Sequence, residues 1–420
     1  MTPILQSLIG YGTFLLTAWV MSSGRRQIQW RYVVTGLGIQ LGFAILVIYM
    51  PAVQEVLKAM GQGVLAFKDA TEAAARFMFG YLAGGDLPFI ALPGANTFIF
   101  AFQPLPMVMV FSAVVMLLFH WGVLPAIMRV LSGVFRSVFG LGSALGVATA
   151  GKMFVGQIET ALLIKPYIAK LSKSELLTLL TLGMATTSGT VVALYASILD
   201  PVLPNAVGHV LATFLLSIPA ALVISQIMIP PQKDTTAGDL CVPYKFENSL
   251  DALAQGTTDG LKIVVSIAAF MLVTLALVNV ADKVLAAVPL GAYGGMSLQK
   301  IFSYVCAPLT WLMGIPWSEA AVAGEIVGTK TVLNEIIAYM NLAKIPLGTL
   351  SEKTILILTY ALGGFANLTS IGLVVGGVGS LAPERRQEII QLSVKALIAG
   401  SLSSFLSATV IGLVHQILGS

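Results

Sequence analysis

Eight stretches of the chain are apolar over a length that suits a membrane crossing, for which a helix needs about 20 residues. They cover 4–22, 32–50, 98–119, 176–199, 206–230, 261–280, 354–377 and 389–417. Two more apolar stretches, 143–168 and 317–340, are interrupted by Gly, Lys, Gln, Asn and Glu. They predict re-entrant hairpins rather than simple spans. Residues 52–80 set Glu55, Lys58, Lys68, Asp69, Glu72 and Arg76 among apolar neighbours, the pattern of an amphipathic helix lying at the outer interface. Residues 120–140 predict a similar helix on the inner face. The long polar stretch 231–259 reads as a cytoplasmic linker. The first stretch lacks a basic flank and a small-residue cleavage motif, so it reads as the first span and not as a removed signal.

Composition strengthens this picture. Of 420 residues, 57% are hydrophobic and 10% are charged, whereas soluble domains carry about 25% charged residues. Such a chain cannot clothe a water-facing surface, and the expected class is an all-α polytopic membrane protein. The net charge of +4 comes with no dense basic block, which excludes a nucleic-acid surface. Cys241 and Cys306 fit no metal or redox spacing. The basic clusters are 24–31, Arg129 with Arg136, Lys165 with Lys170 and Lys173, and Arg385 with Arg386. All four fall on one side if 143–168 enters and returns. That side should be cytoplasmic, which places both termini on the periplasmic side of a bacterial inner membrane.

An internal repeat emerges next. Glu159 precedes Ser174-Glu175 and a helix with "GMATTSG" at 183–189, while Glu335 precedes Ser351-Glu352 and a helix with "GGFANLTSIG" at 363–372. Each unit has a Glu-bearing broken segment, a Lys/Pro turn and a helix with polar residues near its middle. By the span count the two enter from opposite sides. Inverted repeats with unwound, Gly-rich helices are a device of secondary transporters. The expected organisation is 1–119 as N-terminal spans and outer helix and 120–230 as the first repeat. The linker and a scaffold helix follow at 231–300, then the second repeat and last span at 301–420.

Polar side chains at membrane depth are costly and mark a pathway or site. Gln157 and Glu159 either close a hairpin tip by hydrogen bonding or contact a polar heterocycle. Glu335 pairs with Lys330, binds hydroxyls, or carries a proton. Thr186, Thr187, Thr369 and Ser370 either bond back to an i−4 carbonyl or face a ligand, and Asn367 is harder to hide. The GxxxG pairs Gly80/Gly84 and Gly372/Gly376 suit close helix packing. No nucleotide-binding loop, metalloprotease motif or catalytic triad signature occurs, so no enzyme activity and no organic cofactor are expected.

The segments 154–176, 319–339 and 361–386 resemble the signature regions of concentrative nucleoside transporters. The resemblance implies a homotrimer of eight-span protomers, each with a scaffold domain and a transport domain of two opposed hairpins and two broken helices. It implies nucleoside uptake by cation symport with an elevator-type motion. Gln157 and Glu159 would contact the nucleobase. Glu335, Asn367 and Ser370 would hold the ribose hydroxyls, with Phe365 and Val191 lining the pocket.

Two positions depart from that family pattern. Ile158 stands where a hydroxyl residue is common, which leaves purine or pyrimidine preference open. Lys152 stands where sodium-coupled members have Asn, in a region completed by Val155, Thr186 and Thr187. An ammonium has donors only and cannot coordinate a cation. Lys152 thus favours H+ over Na+ as the coupling ion, unless it snorkels to the interface and a Na+ site survives. The competing readings are a channel or exchanger without nucleoside substrate, and a membrane enzyme acting on a lipid-linked substrate.

Overall fold

The computed structural model describes residues 2–90, 97–231, 235–238, 246–287, 297–346 and 348–418, and these are all helix, turn and coil. Helices α1 (Pro3–Val20) and α2 (Trp30–Tyr49) match the first two expected spans. Helix α3 (Pro51–Phe79) occupies the expected amphipathic stretch and carries i,i+4 pairs from Glu72 to Lys68 and Arg76. Pro51 starts it, because a missing N–H costs nothing in the first turn.

The third expected span is shorter than its apolar run. Helix α4 (Leu105–His120) begins only after Pro104, with Pro106 in its first turn. Gly122, at φ 75°, then bends the chain by 78° into α5 (Val123–Phe139), the helix expected at 120–140.

The first repeat continues as α6 (Ser143–Gly151), α7 (Gln157–Leu162) and α8 (Lys165–Ile168). Two half-helices follow, α9 (Lys173–Ala185) and α10 (Val192–Leu199). Ser172 and Glu175 form a capping box at the start of α9. The cap is Ser172, while Ser174 Oγ donates to Ile229 O at 2.6 Å. Helix α11 (Ala206–Met228) crosses the centre of the molecule and is almost wholly buried.

Helix α12 (Ser249–Ala287) is longer than the expected 261–280, reaching back into the polar stretch. Asn248 starts it by accepting from Asp251 N at 2.9 Å. The rest of that stretch is not simply a free linker. Thr236 donates from its amide and hydroxyl to Glu175, and Gly238 N donates to Ser143 Oγ, so 235–238 is pinned to the starts of α9 and α6. Cys241 lies outside the described residues.

Helix α13 (Leu298–Leu312) was not expected. It packs along α14 (Trp317–Val332) as α5 packs along α6, so each repeat includes the helix ahead of its broken segment. Then come α15 (Glu335–Ala343) and the half-helices α16 (Glu352–Leu362) and α17 (Leu368–Leu373). A π turn at Val374–Val378 and the short α18 (Gly379–Leu381) lead to the long α19 (Arg386–Leu418).

Among the described residues, five helices are long and apolar enough to cross a membrane, or six with the bent α4–α5 pair. The stretches 176–199 and 354–377, counted as spans by apolarity, are broken in two, as the repeat pattern required. Their breaks meet against α19: a Cβ on Gly364 would stand 2.6 Å from Ala185 O and 2.7 Å from Ser404 Oγ. Glycine there lets the two unwound segments touch, which brings both repeats to one site. The GxxxG pairs do not act as packing faces. Gly80 and Gly84 adopt φ of 56° and 80° in a turn, and nothing lies within 4 Å of a Cβ on Gly372 or Gly376.

Candidate functional site

Four helix ends converge on a cavity of about 350 Å³. Its walls are the starts of α7 and α15, the break before α10 and the break before α17. Helices α4 and α12 close the remaining sides through Met116, Asp259, Lys262 and Ser266, among others. Gln157, Glu159, Val191, Glu335, Phe365, Asn367 and Ser370 all line this cavity. Val155 lines it too, whereas Lys152, Thr186 and Thr187 do not, being fully buried in the protein.

Glu335 is the most constrained group. It opens α15, whose cap is Asn334, accepting from Ile337 N at 2.9 Å. Tyr195 OH donates to its Oε1 at 2.8 Å, and Asn367 Nδ2 donates to its Oε2 at 3.0 Å. The oxygen of the same Asn367 amide caps α17 by accepting from Ser370 N at 2.9 Å. Ser370 Oγ also donates to Phe365 O. One amide thus fixes both the carboxylate and the next helix start. Two donors leave further lone pairs on each carboxylate oxygen as acceptors. The ion pair of Glu335 with Lys330 is not formed: no N···O approach within 4.0 Å joins them, and Lys330 Nζ donates to Ala361 O at 2.7 Å.

Gln157 and Glu159 sit on the first turn of α7. Gln157 Nε2 is buried without a hydrogen-bond partner, so it does not close the hairpin tip. It lies so near α9 that a Cβ on Gly183 would stand 2.5 Å from its Cγ. Likewise a Cβ on Gly156 would stand 2.3 Å from Glu159 Oε2. Ile158 lines the cavity and covers Gly377 within the π turn, a close approach that a Cβ at 377 would block at 2.5 Å.

Lys152 caps the end of α6 and is 0% exposed. Its Nζ has no hydrogen-bond partner and stands 5.3 Å from the centre of the Phe365 ring. That is within reach of a cation–π attraction, and it is not a snorkelling geometry. Thr186 Oγ1 bonds back to Leu182 O at 2.8 Å, the ordinary helical alternative. Thr187 Oγ1 is buried with no partner. Thr369 does not bond back within its helix; it donates to Leu333 O, at the break of the second hairpin, at 3.4 Å. Among the described residues no cluster of His, Cys, Asp and Glu could hold a metal ion.

Three family descriptions match the chain in order: "Na+ dependent nucleoside transporter N-terminus" over 9–82, "Nucleoside recognition" over 101–202 and "Na+ dependent nucleoside transporter C-terminus" over 209–412. The nucleoside permease NupC of Helicobacter pylori is 35% identical over 418 residues, covering 97% of both chains. The chain belongs to the concentrative nucleoside transporter family. The rat sodium/nucleoside cotransporter 1 is 31% identical over 98% of this chain and 64% of its own length. A concentrative nucleoside transporter solved as "CNTnw in an inward-facing substrate-bound state" superposes with a TM-score of 0.92 at 31% identity, over 100% of this chain and 99% of the other. Members of this family are multi-pass membrane transporters of nucleosides and not enzymes.

Tyr195, Asp259 and Lys262 also line the cavity of this nucleoside transporter, and no polar motif marks them in the sequence. Tyr195 sits in an apolar run, where an aromatic reads as core, and it is indeed fully buried with its ring 5.0 Å from that of Tyr339. Asp259 and Lys262 form an i,i+3 pair at 3.1 Å on α12. In the sequence Asp259 ends a polar stretch that reads as a linker, and Lys262 stands at the edge of an apolar run that reads as a scaffold helix. Spacing on a helix that turns one face to the cavity was the available signal.

Proposed function

We propose that this chain imports nucleosides across the inner membrane by proton symport, as a homotrimer with an elevator-type transport domain and both termini on the periplasmic side. The observation that carries the substrate reading is Glu335. A carboxylate held at both oxygens by Tyr195 and Asn367, and open to the cavity, is an acceptor pair suited to a cis-diol. At the other wall, Gln157 offers an unused amide and Glu159 a carboxylate, groups matched to the polar edge of a base. Phe365 and Val191 supply apolar surface for the rings. The coordinated orientation of these helix starts at broken segments is how such transporters hold a solute at mid-membrane.

Lys152 supports the choice of ion. Its ammonium is buried in the region where relatives would hold Na+, and two like charges 4 Å apart repel by about 4 kcal/mol at an effective dielectric of 20. An inward proton gradient is expected to drive uridine or adenosine uptake into proteoliposomes, with no stimulation by a Na+ gradient at fixed pH. Strong Na+ stimulation would exclude the proton reading. Glu335→Gln is expected to abolish uptake while the protein still inserts and assembles, and near-normal uptake would refute the diol role.

A further inference from the structure

The second repeat contains a buried lysine to which the transport reading gives no role. Lys330 lies in the last turn of α14 and is 1% exposed. Its Nζ reaches across to Ala361 O, in the last turn of α16, at 2.7 Å. The last four carbonyls of an α-helix have no partner within the helix, and a buried one left unpaired is costly.

In α16 all four are satisfied. Thr359 O accepts from Tyr339 OH at 2.9 Å, and Ala361 O accepts from Lys330. Tyr360 O accepts from Gly363 N at 3.3 Å and Leu362 O from Gly364 N at 2.8 Å. Two of these donors therefore belong to the second hairpin, α14 with α15. The ammonium also stands at the negative end of the α16 dipole. It lies within electrostatic reach of Glu335 without touching it. Lys152, its counterpart in the first repeat, makes no hydrogen bond at all.

We propose that Lys330 is a positioning residue of the nucleoside site: its ammonium ties the end of α16 to the second hairpin, so that Asn367 and Ser370 are held against Glu335. This rests on the reading that the cavity binds nucleosides. The argument is geometric. Residues 363–367 form an unwound link between α16 and α17. Its far end is fixed by the Asn367 cap and its near end by the donors to α16. Glu335 rides on the same hairpin as Lys330. One side chain thus locks the hairpin carrying the carboxylate to the break carrying the amide. Loss of that lock loosens the ribose end of the cavity and leaves the base end, built on α7 and α9, untouched.

The test is calorimetric binding of uridine, adenosine and 2′,3′-dideoxyuridine to the full chain in nanodiscs. In Lys330→Met, Kd for uridine and adenosine is expected to rise alike, by roughly tenfold or more, as befits a lost charge-assisted bond. Binding of 2′,3′-dideoxyuridine, which lacks the diol, should change much less. An equal loss for all three ligands would mean a general structural defect and would overturn the proposal. Unchanged uridine affinity would overturn it too. If the unsubstituted protein binds none of them, the nucleoside reading itself fails and this inference falls with it. Where Lys330→Met does not assemble, Lys330→Arg keeps charge and donors and must retain the preference for uridine over its dideoxy analogue. A folded Lys330→Arg without that preference overturns the proposal.

Discussion

A buried side chain with no partner asks what it is for, and Lys152 asks it most sharply. Its ammonium makes no hydrogen bond and faces the ring of Phe365. If it stands where a metal cation would bind, Lys152→Asn should open that position to Na+ beside the unpartnered Thr187 hydroxyl. Uptake by the variant is then expected to rise with an imposed Na+ gradient, which proteoliposome flux at fixed pH measures. An ion dependence identical to that of the unsubstituted protein would show that the lysine does not select the ion. Tyr195 makes a second residue-scale case. Tyr195→Phe keeps the ring against Tyr339 and removes only the donor to Glu335, so nucleoside affinity should fall by roughly tenfold with little change in thermal midpoint. Equal affinity in a binding titration would mean that Glu335 needs no help from it. Gln157, Glu159, Glu335 and Asn367 were legible in the sequence because burying such groups in a membrane is costly and needs a reason. Tyr195 was not, because a tyrosine in an apolar run costs little and looks like any packed ring.

Helix ends, more than helix bodies, build the site. Asn334 and Asn367 each start a short helix at a break and present it to the cavity. Replacing Asn334 by Ala removes the bond to Ile337 N and should cost about 1 kcal/mol of stability, while Asn334→Ser keeps a capping oxygen. A thermal midpoint lowered in the alanine variant and retained in the serine variant is expected; equal midpoints would remove the capping role. Glycine positions make the complementary prediction. Gly183→Ala ought to strengthen α9, since alanine is the better helix former by up to about 1 kcal/mol. Its new Cβ would nevertheless collide with Gln157. Uptake should therefore fall while α9 is no less stable, and competition between uridine and adenosine should shift, because the base end is disturbed. Unaltered competition would argue that Gln157 does not read the base. At this scale the sequence showed both broken segments and both broken helices through their polar interruptions. It did not show α13, whose run is too short for a span and carries an internal Pro308. Nor did it show that α12 begins at Ser249, since Asn248 acts as a cap only once the chain turns there.

Across the whole molecule the cavity is a seam between two sets of elements. One side is α4 and α12, which pack chiefly on each other. The other is the pair of repeats, gathered on α11 and α19 and joined where Gly364 meets Ala185. Arg385 strengthens the second set by donating to Ile168 O and Leu171 O at the end of α8 while pairing with Glu388, so the start of α19 holds the first hairpin. A body braced internally in this way, and meeting α12 mainly across a cavity, can move past it without breaking its own hydrogen bonds. That is the physical content of the elevator proposal, and it has a direct test. Ile158 and Ile263 line the cavity from opposite sets, on α7 and α12. With Cys241 and Cys306 replaced by serine, a pair of cysteines at 158 and 263 joined by a flexible, reducible bifunctional thiol reagent should stop nucleoside exchange. Reduction should restore it, and because both positions line the cavity, the closed link should slow exchange well beyond what the reagent does on either single cysteine. Exchange that continues at the full rate with the link demonstrably closed would mean that the two walls do not slide past each other, and the transport step would have to be sought in the hairpins alone.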